Sequence, residues 1–162
     1  MLNNDKKTNV LIVDDDKYVL DSISLIMRFH EYDFIACKDA ERALKELGKC
    51  EFDIMISDIN MPGMSGLELL EIVSKIYPDM PAILMTGLAE LDAAVEAIKN
   101  GAYDFVLKPI NPELFLNSIK RALQYSKSLN IDKKYIEALQ MQLEAKTQEL
   151  SQALDKIKSI SS

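Results

Sequence analysis

Five short apolar runs alternate with five segments of helical periodicity, and this alternation constrains the chain more than any other feature. The runs are NVLIV (9–13), DFIAC (33–37), DIMIS (53–57), AILMT (82–86) and DFVLK (104–108). Between and after them, apolar residues recur at three- and four-residue spacing. The first such set is Val19, Ile23, Ile26 and Met27; the second is Ala43, Leu44 and Leu47; the third is Leu67, Leu70 and Val73. Ala94, Val95 and Ile98 form the fourth, and Leu114, Ile119 and Leu123 the fifth. Strand–helix repetition of this kind builds a parallel sheet covered by helices on both faces.

The punctuation agrees with that order. Ser65 and Glu68 have the spacing of a capping box ahead of the third helix. Asn111 followed by Pro112 reads as an N-cap and first-turn proline for the fifth. Asn100–Gly101 ends the fourth helix as a left-handed cap, and Pro78 and Pro81 bracket the turn into the fourth strand.

The first run continues into Asp14, Asp15 and Asp16, so carboxylates crowd the end of a buried strand. Like charges at short range repel, and burying one is costly. In a doubly wound sheet, ligands sit beyond the carboxyl ends of the strands. The third strand brings Ser57–Asp58 to that edge, the fourth Thr86–Gly87 and the fifth Lys108–Pro109. A cation among the acids makes the cluster tolerable, and Mg²⁺ suits hard oxygen ligands. Lys108 adds positive charge opposite, which favours a phosphoryl group. Asp58 is the candidate nucleophile, forming an acyl phosphate. Asp16 reads as the N-cap of the first helix.

These residues resemble the receiver domain of bacterial two-component response regulators. The similarity covers roughly residues 8–127 and rests on VLIVDDD, DIMISDINMPGMSGLELL, AILMTG and GAYDFVLKP. The resemblance implies a flavodoxin-like fold: a doubly wound five-stranded parallel sheet in the order 2-1-3-4-5. It implies that Asp58 takes a phosphoryl group from a sensor histidine kinase or phosphotransfer protein. Asp14 and Asp15 would hold Mg²⁺ together with Asp58, Asp15 as the direct ligand, and Asn60 would add its backbone carbonyl. Lys108 would pair with a phosphoryl oxygen and Thr86 would donate a hydroxyl to it. Phe105 stands at the aromatic switch position, and the Lys108–Pro109 bond is cis in the family. Catalysis would then be limited to self-phosphotransfer and slow autodephosphorylation. A competing reading is a Mg²⁺-dependent phosphatase of the haloacid dehalogenase type. It needs Asp-x-Asp-x-Thr/Val after the first strand, and Asp14–Asp15–Asp16–Lys17–Tyr18 lacks the Thr or Val.

Residues 128–162 differ in kind. From Asp132 onward there is no strand pattern, no Gly and no Pro. Ile136, Leu143, Leu150 and Ile157 recur every seven residues, with Leu139, Lys146, Ala153 and Ile160 at the second seam position. This is a long C-terminal helix, either a parallel dimeric coiled coil or a helix folded back on its own domain. Its sequence is similar to linkers that join receivers to cyclic-di-GMP phosphodiesterases or other signalling output domains, and an output domain is expected to follow. A phosphorylation-independent dimeric scaffold is the remaining alternative. The net charge of −7 lies ahead of this segment, which carries five acids and five bases. No basic face suggests nucleic acid, and no apolar run approaches the ~20 residues of a membrane helix. Cys37 and Cys50 lack metal spacing and read as isolated reduced thiols. A cytoplasmic location is expected.

Overall fold

The computed structural model describes residues 6–161. Five strands alternate with five helices: β1 (Asn9–Val13), α1 (Lys17–Phe29), β2 (Asp33–Cys37), α2 (Ala40–Leu47), β3 (Ile54–Asp58), α3 (Gly66–Ile76), β4 (Ala82–Thr86), α4 (Leu91–Lys99), β5 (Asp104–Leu107) and α5 (Pro112–Ile160). A single 3₁₀ turn, Leu88–Glu90, precedes α4. All strand pairs are parallel, in the order β2-β1-β3-β4-β5. This is the flavodoxin-like arrangement expected from the sequence.

Strand alternation sorts the core into two layers. Leu11, Val13, Met55 and Leu84 pack with Ala40, Ala43 and Leu47 of α2, Leu69, Leu70 and Val73 of α3, and Ala94 and Ala97 of α4. Val10, Ile12, Ile54, Ile56, Ile83 and Met85 face the other way, onto Ile23 and Met27 of α1 and Phe115, Leu116, Ile119 and Ala122 of α5. Successive side chains of a strand point to opposite faces, so a strand buried on both faces must be apolar throughout.

The expected caps form. Asp16 accepts from the Tyr18 N–H at 2.9 Å, Ser65 and Glu68 close the capping box, and Asn111 Oδ1 accepts from Glu113 and Leu114. Gly101 has φ of 113°, a conformation that a residue with Cβ rarely adopts.

Two of the helical stripes differ from the expectation. Ala94 of α4 is buried as expected, but Val95 and Ile98 are exposed and Ala97 takes the second buried place. The helix thus meets the sheet through two small side chains. In α5, Leu114 is exposed while Phe115 and Leu116 turn inward. Strand edges also shift by one residue: β3 runs to Asp58, paired with Met85, and β5 ends before Lys108.

One compact unit ends at Ser126 and a second runs from Lys127. The second is helical to Ile160, and every residue from Asn130 to Ser161 is exposed. Lys146 pairs with Glu149 at 3.2 Å within it. No helix among the described residues is long and apolar enough to cross a membrane.

Candidate functional site

The three consecutive acids after β1 have three different environments. Asp14 is fully buried, and its backbone N–H donates to the Cys37 carbonyl of β2. Its Oδ1 accepts from the Asp16 N–H at 2.9 Å. Asp16 turns outward to cap α1, and Asp15 is exposed. One strand end therefore supplies a buried carboxylate, an accessible one and a helix cap.

Asp58 ends β3, next to β1, and is almost buried. Helix α3 begins close behind it: the Gly66 N–H donates to the Ile59 carbonyl at 2.8 Å. A Cβ on Gly66 would sit 2.8 Å from the Asp58 carbonyl carbon. The final glycine of MPGMSG is therefore a steric requirement of the site.

Lys108 reaches both buried acids. Its Nζ lies 2.8 Å from Asp14 Oδ2 and 3.1 Å from Asp58 Oδ1. The ammonium is the one partner of Asp14 Oδ2 among the described residues. Its backbone N–H donates to the Thr86 carbonyl at 2.8 Å, which extends the β4–β5 ladder by one bond. The Lys108–Pro109 peptide is cis.

Burial pushes the Asp58 carboxyl above its ordinary pKa, and the Asp14 charge pushes the same way. The hydrogen bond and charge of Lys108 pull it back without cancelling the rise, and Asp15 adds to it. Burial works against the Lys108 ammonium, but its bonds to Asp14 and Asp58 together outweigh that and raise its pKa. Three acids facing one ammonium leave a surplus of negative charge.

That surplus, and the donor chemistry, fit a divalent cation. One carboxylate oxygen from each of Asp14, Asp15 and Asp58 lies within 4.8 Å of the others. Ligands of one octahedral Mg²⁺ stand roughly 3–4 Å apart, so small side-chain adjustments would bring this set to one ion.

The remaining expected residues stand on β4, on β5 and in the loop after β3. Thr86 is buried at the end of β4, and its Oγ1 donates to the Gly87 carbonyl at 3.0 Å. Phe105 in β5 is half-buried against the layer of α2, α3 and α4. Asn60 is exposed, and its side-chain amide donates to Glu90 Oε1 at 2.7 Å. Glu90 was not singled out by sequence reasoning. Its other oxygen accepts the Gly87 N–H at 3.1 Å. The spacing Gly87-x-x-Glu90 is that of half a capping box, and that was the available signal.

Comparison with known proteins agrees with this fold. The family model for the response regulator receiver domain matches residues 10–120, and the chain belongs to that family. The response regulator FleR of Pseudomonas aeruginosa is 38% identical over 112 residues, which is 69% of this chain and 24% of that protein. The transcriptional regulator NtrC of Proteus hauseri is 40% identical over 124 residues, 74% of this chain and 25% of that one. Among solved structures, a CheY-like receiver from Methanospirillum hungatei superposes with a TM-score of 0.71 at 35% identity, over 75% of this chain and 98% of that one. NtrX of Brucella abortus gives 0.76 at 28% identity, over 79% of this chain and 29% of that one. The chain thus spans about a quarter of the length of the curated relatives it matches. It is a two-component signalling module, and its relatives are signalling regulators.

Proposed function

We propose that this receiver is a switch that accepts a phosphoryl group on Asp58 from a sensor histidine kinase or phosphotransfer protein. The observation that carries this reading is the Lys108 ammonium held between Asp14 and Asp58 at the carboxyl edge of the sheet. An Asp58 oxygen attacks phosphorus in line, the new O–P bond forms, and the P–N bond to the donor histidine breaks. Lys108 is free to leave Asp58 for the incoming phosphoryl oxygens, because Asp14 holds its other side. Thr86 lies at the neighbouring strand end, and its hydroxyl can exchange the Gly87 carbonyl for the phosphoryl group. Phe105 then fills the space the threonine leaves. Asp14, Asp15, Asp58 and the Asn60 carbonyl would hold Mg²⁺, which when bound offsets the charge developing on the transferred group.

The same reading assigns residues 128–162 to a parallel two-stranded coiled coil. Its support is the seam of Ile136, Leu139, Leu143, Leu150, Ile157 and Ile160, all exposed in the single chain. A helix with such a stripe gains stability by covering it with another. Phosphorylation would alter how the two copies associate, and through them an output domain that follows.

The decisive experiment is incubation with Mg²⁺ and acetyl phosphate, read by intact mass. The wild-type chain gains one phosphoryl group, labile to alkali and hydroxylamine as an acyl phosphate must be. Asp58→Asn gains none, because an amide is a poor nucleophile. An undiminished adduct on the variant sinks the assignment.

A further inference from the structure

We propose that the Glu90 carboxylate is a built-in competitor of the phosphoryl group, a positioning residue that holds the rim of the site in its unphosphorylated arrangement. This inference rests on Asp58 being the acceptor and adds a group to the reaction that acts through its neighbours.

The geometry is specific. Glu90 stands at the junction of the 3₁₀ turn and α4, and as N-cap of α4 its side chain makes no capping bond to that helix. Instead both oxygens point back toward the strand ends. Oε2 accepts the N–H of Gly87, the residue after Thr86. Oε1 accepts the side-chain amide of Asn60, two residues after Asp58. One anion thus ties the loop after β3, the strand that ends in the acceptor, to the loop after its neighbour β4. A Cβ on Gly87 would lie 2.9 Å from Glu90 Oε2, so a glycine lets the carboxylate approach this closely. Glu90 itself is half-buried, which limits solvent screening of its charge.

Charge decides the consequence. The surplus acid at the site already disfavours a further anion, and phosphorylation replaces the single charge of the Asp58 carboxylate with nearly two on a bulkier group that extends beyond the strand end. The N–H of Gly87 and the amide of Asn60 are then donors for which two anions compete. Phosphorylation repels Glu90, the two donors turn to the new anion, and the clamp between the loops opens at the start of α4. The transition at the site is thereby passed to the α4 N-terminus by loss of two named hydrogen bonds. Before phosphorylation, the same carboxylate opposes the approach of any phosphodonor.

The test uses the full chain with Mg²⁺ and acetyl phosphate, comparing wild type, Glu90→Gln, Glu90→Ala and Glu96→Gln. Glu96 is an exposed α4 acid paired with Lys99 at 3.8 Å, and it controls for net charge alone. Glu90→Gln and Glu90→Ala should be phosphorylated about fivefold faster than wild type, the effect of removing one close like charge in a wet site. Glu96→Gln should stay at the wild-type rate. In ¹⁵N spectra, the Gly87 amide and the Asn60 side-chain amide should shift when wild type is phosphorylated. In Glu90→Ala both signals should be displaced before any phosphodonor is added. A merely structural role would lower stability and leave the rate unmoved. Equal or slower rates in both Glu90 variants, or Gly87 and Asn60 signals indifferent to phosphorylation, overturn the proposal while leaving Asp58 as acceptor. If none of the chains gains a phosphoryl group, the acceptor assignment itself fails and takes this inference with it.

Discussion

Gly66, the first residue of α3, is packed so tightly behind Asp58 that a side chain there would overlap the Asp58 backbone carbonyl. The contact is backbone to backbone, so no rotamer change relieves it. Asp58 is therefore aimed by the helix behind it as well as by the strand that carries it.

Gly66→Ala should accordingly destabilise the fold by about 1–3 kcal/mol, the usual cost of overpacking. The helix start must retreat, and the Asp58 carbonyl moves with it. Phosphorylation should slow more than the loss of folded protein explains. Urea melts and phosphorylation kinetics on the same sample check this, and a stable, normally reactive variant would show that the loop yields freely.

Asp15→Ala should weaken Mg²⁺ binding more than Asp14→Ala. Asp14 has both oxygens engaged, one by the Asp16 N–H and one by Lys108, whereas Asp15 is exposed and faces the same cluster. Mg²⁺ titrations of the two variants decide the ranking; equal or reversed losses reject it.

The pH dependence of stability has a defined sign. The Asp58 pKa is raised in the folded chain, so the folded state binds that proton more tightly than the unfolded one. Its contribution is fully present below the ordinary aspartate pKa of about 3.9 and is lost as pH rises through the higher folded value. Asp58→Asn fixes the uncharged form. Without Mg²⁺ it should melt above wild type at neutral pH, and the difference should shrink on acidification below the Asp58 pKa. Thermal melts from pH 4 to pH 8 measure it. A difference that is constant with pH would place the repulsion elsewhere.

Lys146→Leu should tighten the proposed dimer and blunt its response to phosphorylation. Lys146 is a polar interruption of the seam and pairs with Glu149 on its own helix. Each apolar seam residue contributes ~1.5–3 kcal/mol on burial, against an association cost of ~4–15 kcal/mol. Sedimentation of the full chain, a chain ending at Lys127 and Lys146→Leu tests this. A full chain that is monomeric at tens of micromolar, with and without acetyl phosphate, removes the coiled coil.

The order of elements was legible because each buried strand is apolar on both faces and each helix carries a cap or a stop. The residues at the strand ends were legible because unlike polar groups recur at one edge. What escaped was decided by shape. Val95 and Ile98 fit a helical stripe as well as Ala94 does, but the close approach of α4 favours the alanines. Leu114 fits its stripe too, yet Phe115 and Leu116 take the buried positions. Gly66 and Glu90 carry no periodic signal: Gly66 matters through its close approach to the Asp58 backbone, and Glu90 through bonds to Gly87 and to Asn60 of another loop.

The two cysteines have a practical bearing on any work with this protein. Cys37 is buried, and burial together with nearby acids pushes its thiol up to about 11, which leaves it unreactive near neutrality. Cys50 is exposed. A maleimide fluorophore or spin label will therefore attach at one place per molecule without mutagenesis, beyond the end of α2. The same thiol is a hazard in air: two molecules oxidised through Cys50 would form a covalent pair that mimics association through the tail, and a reducing agent separates the two.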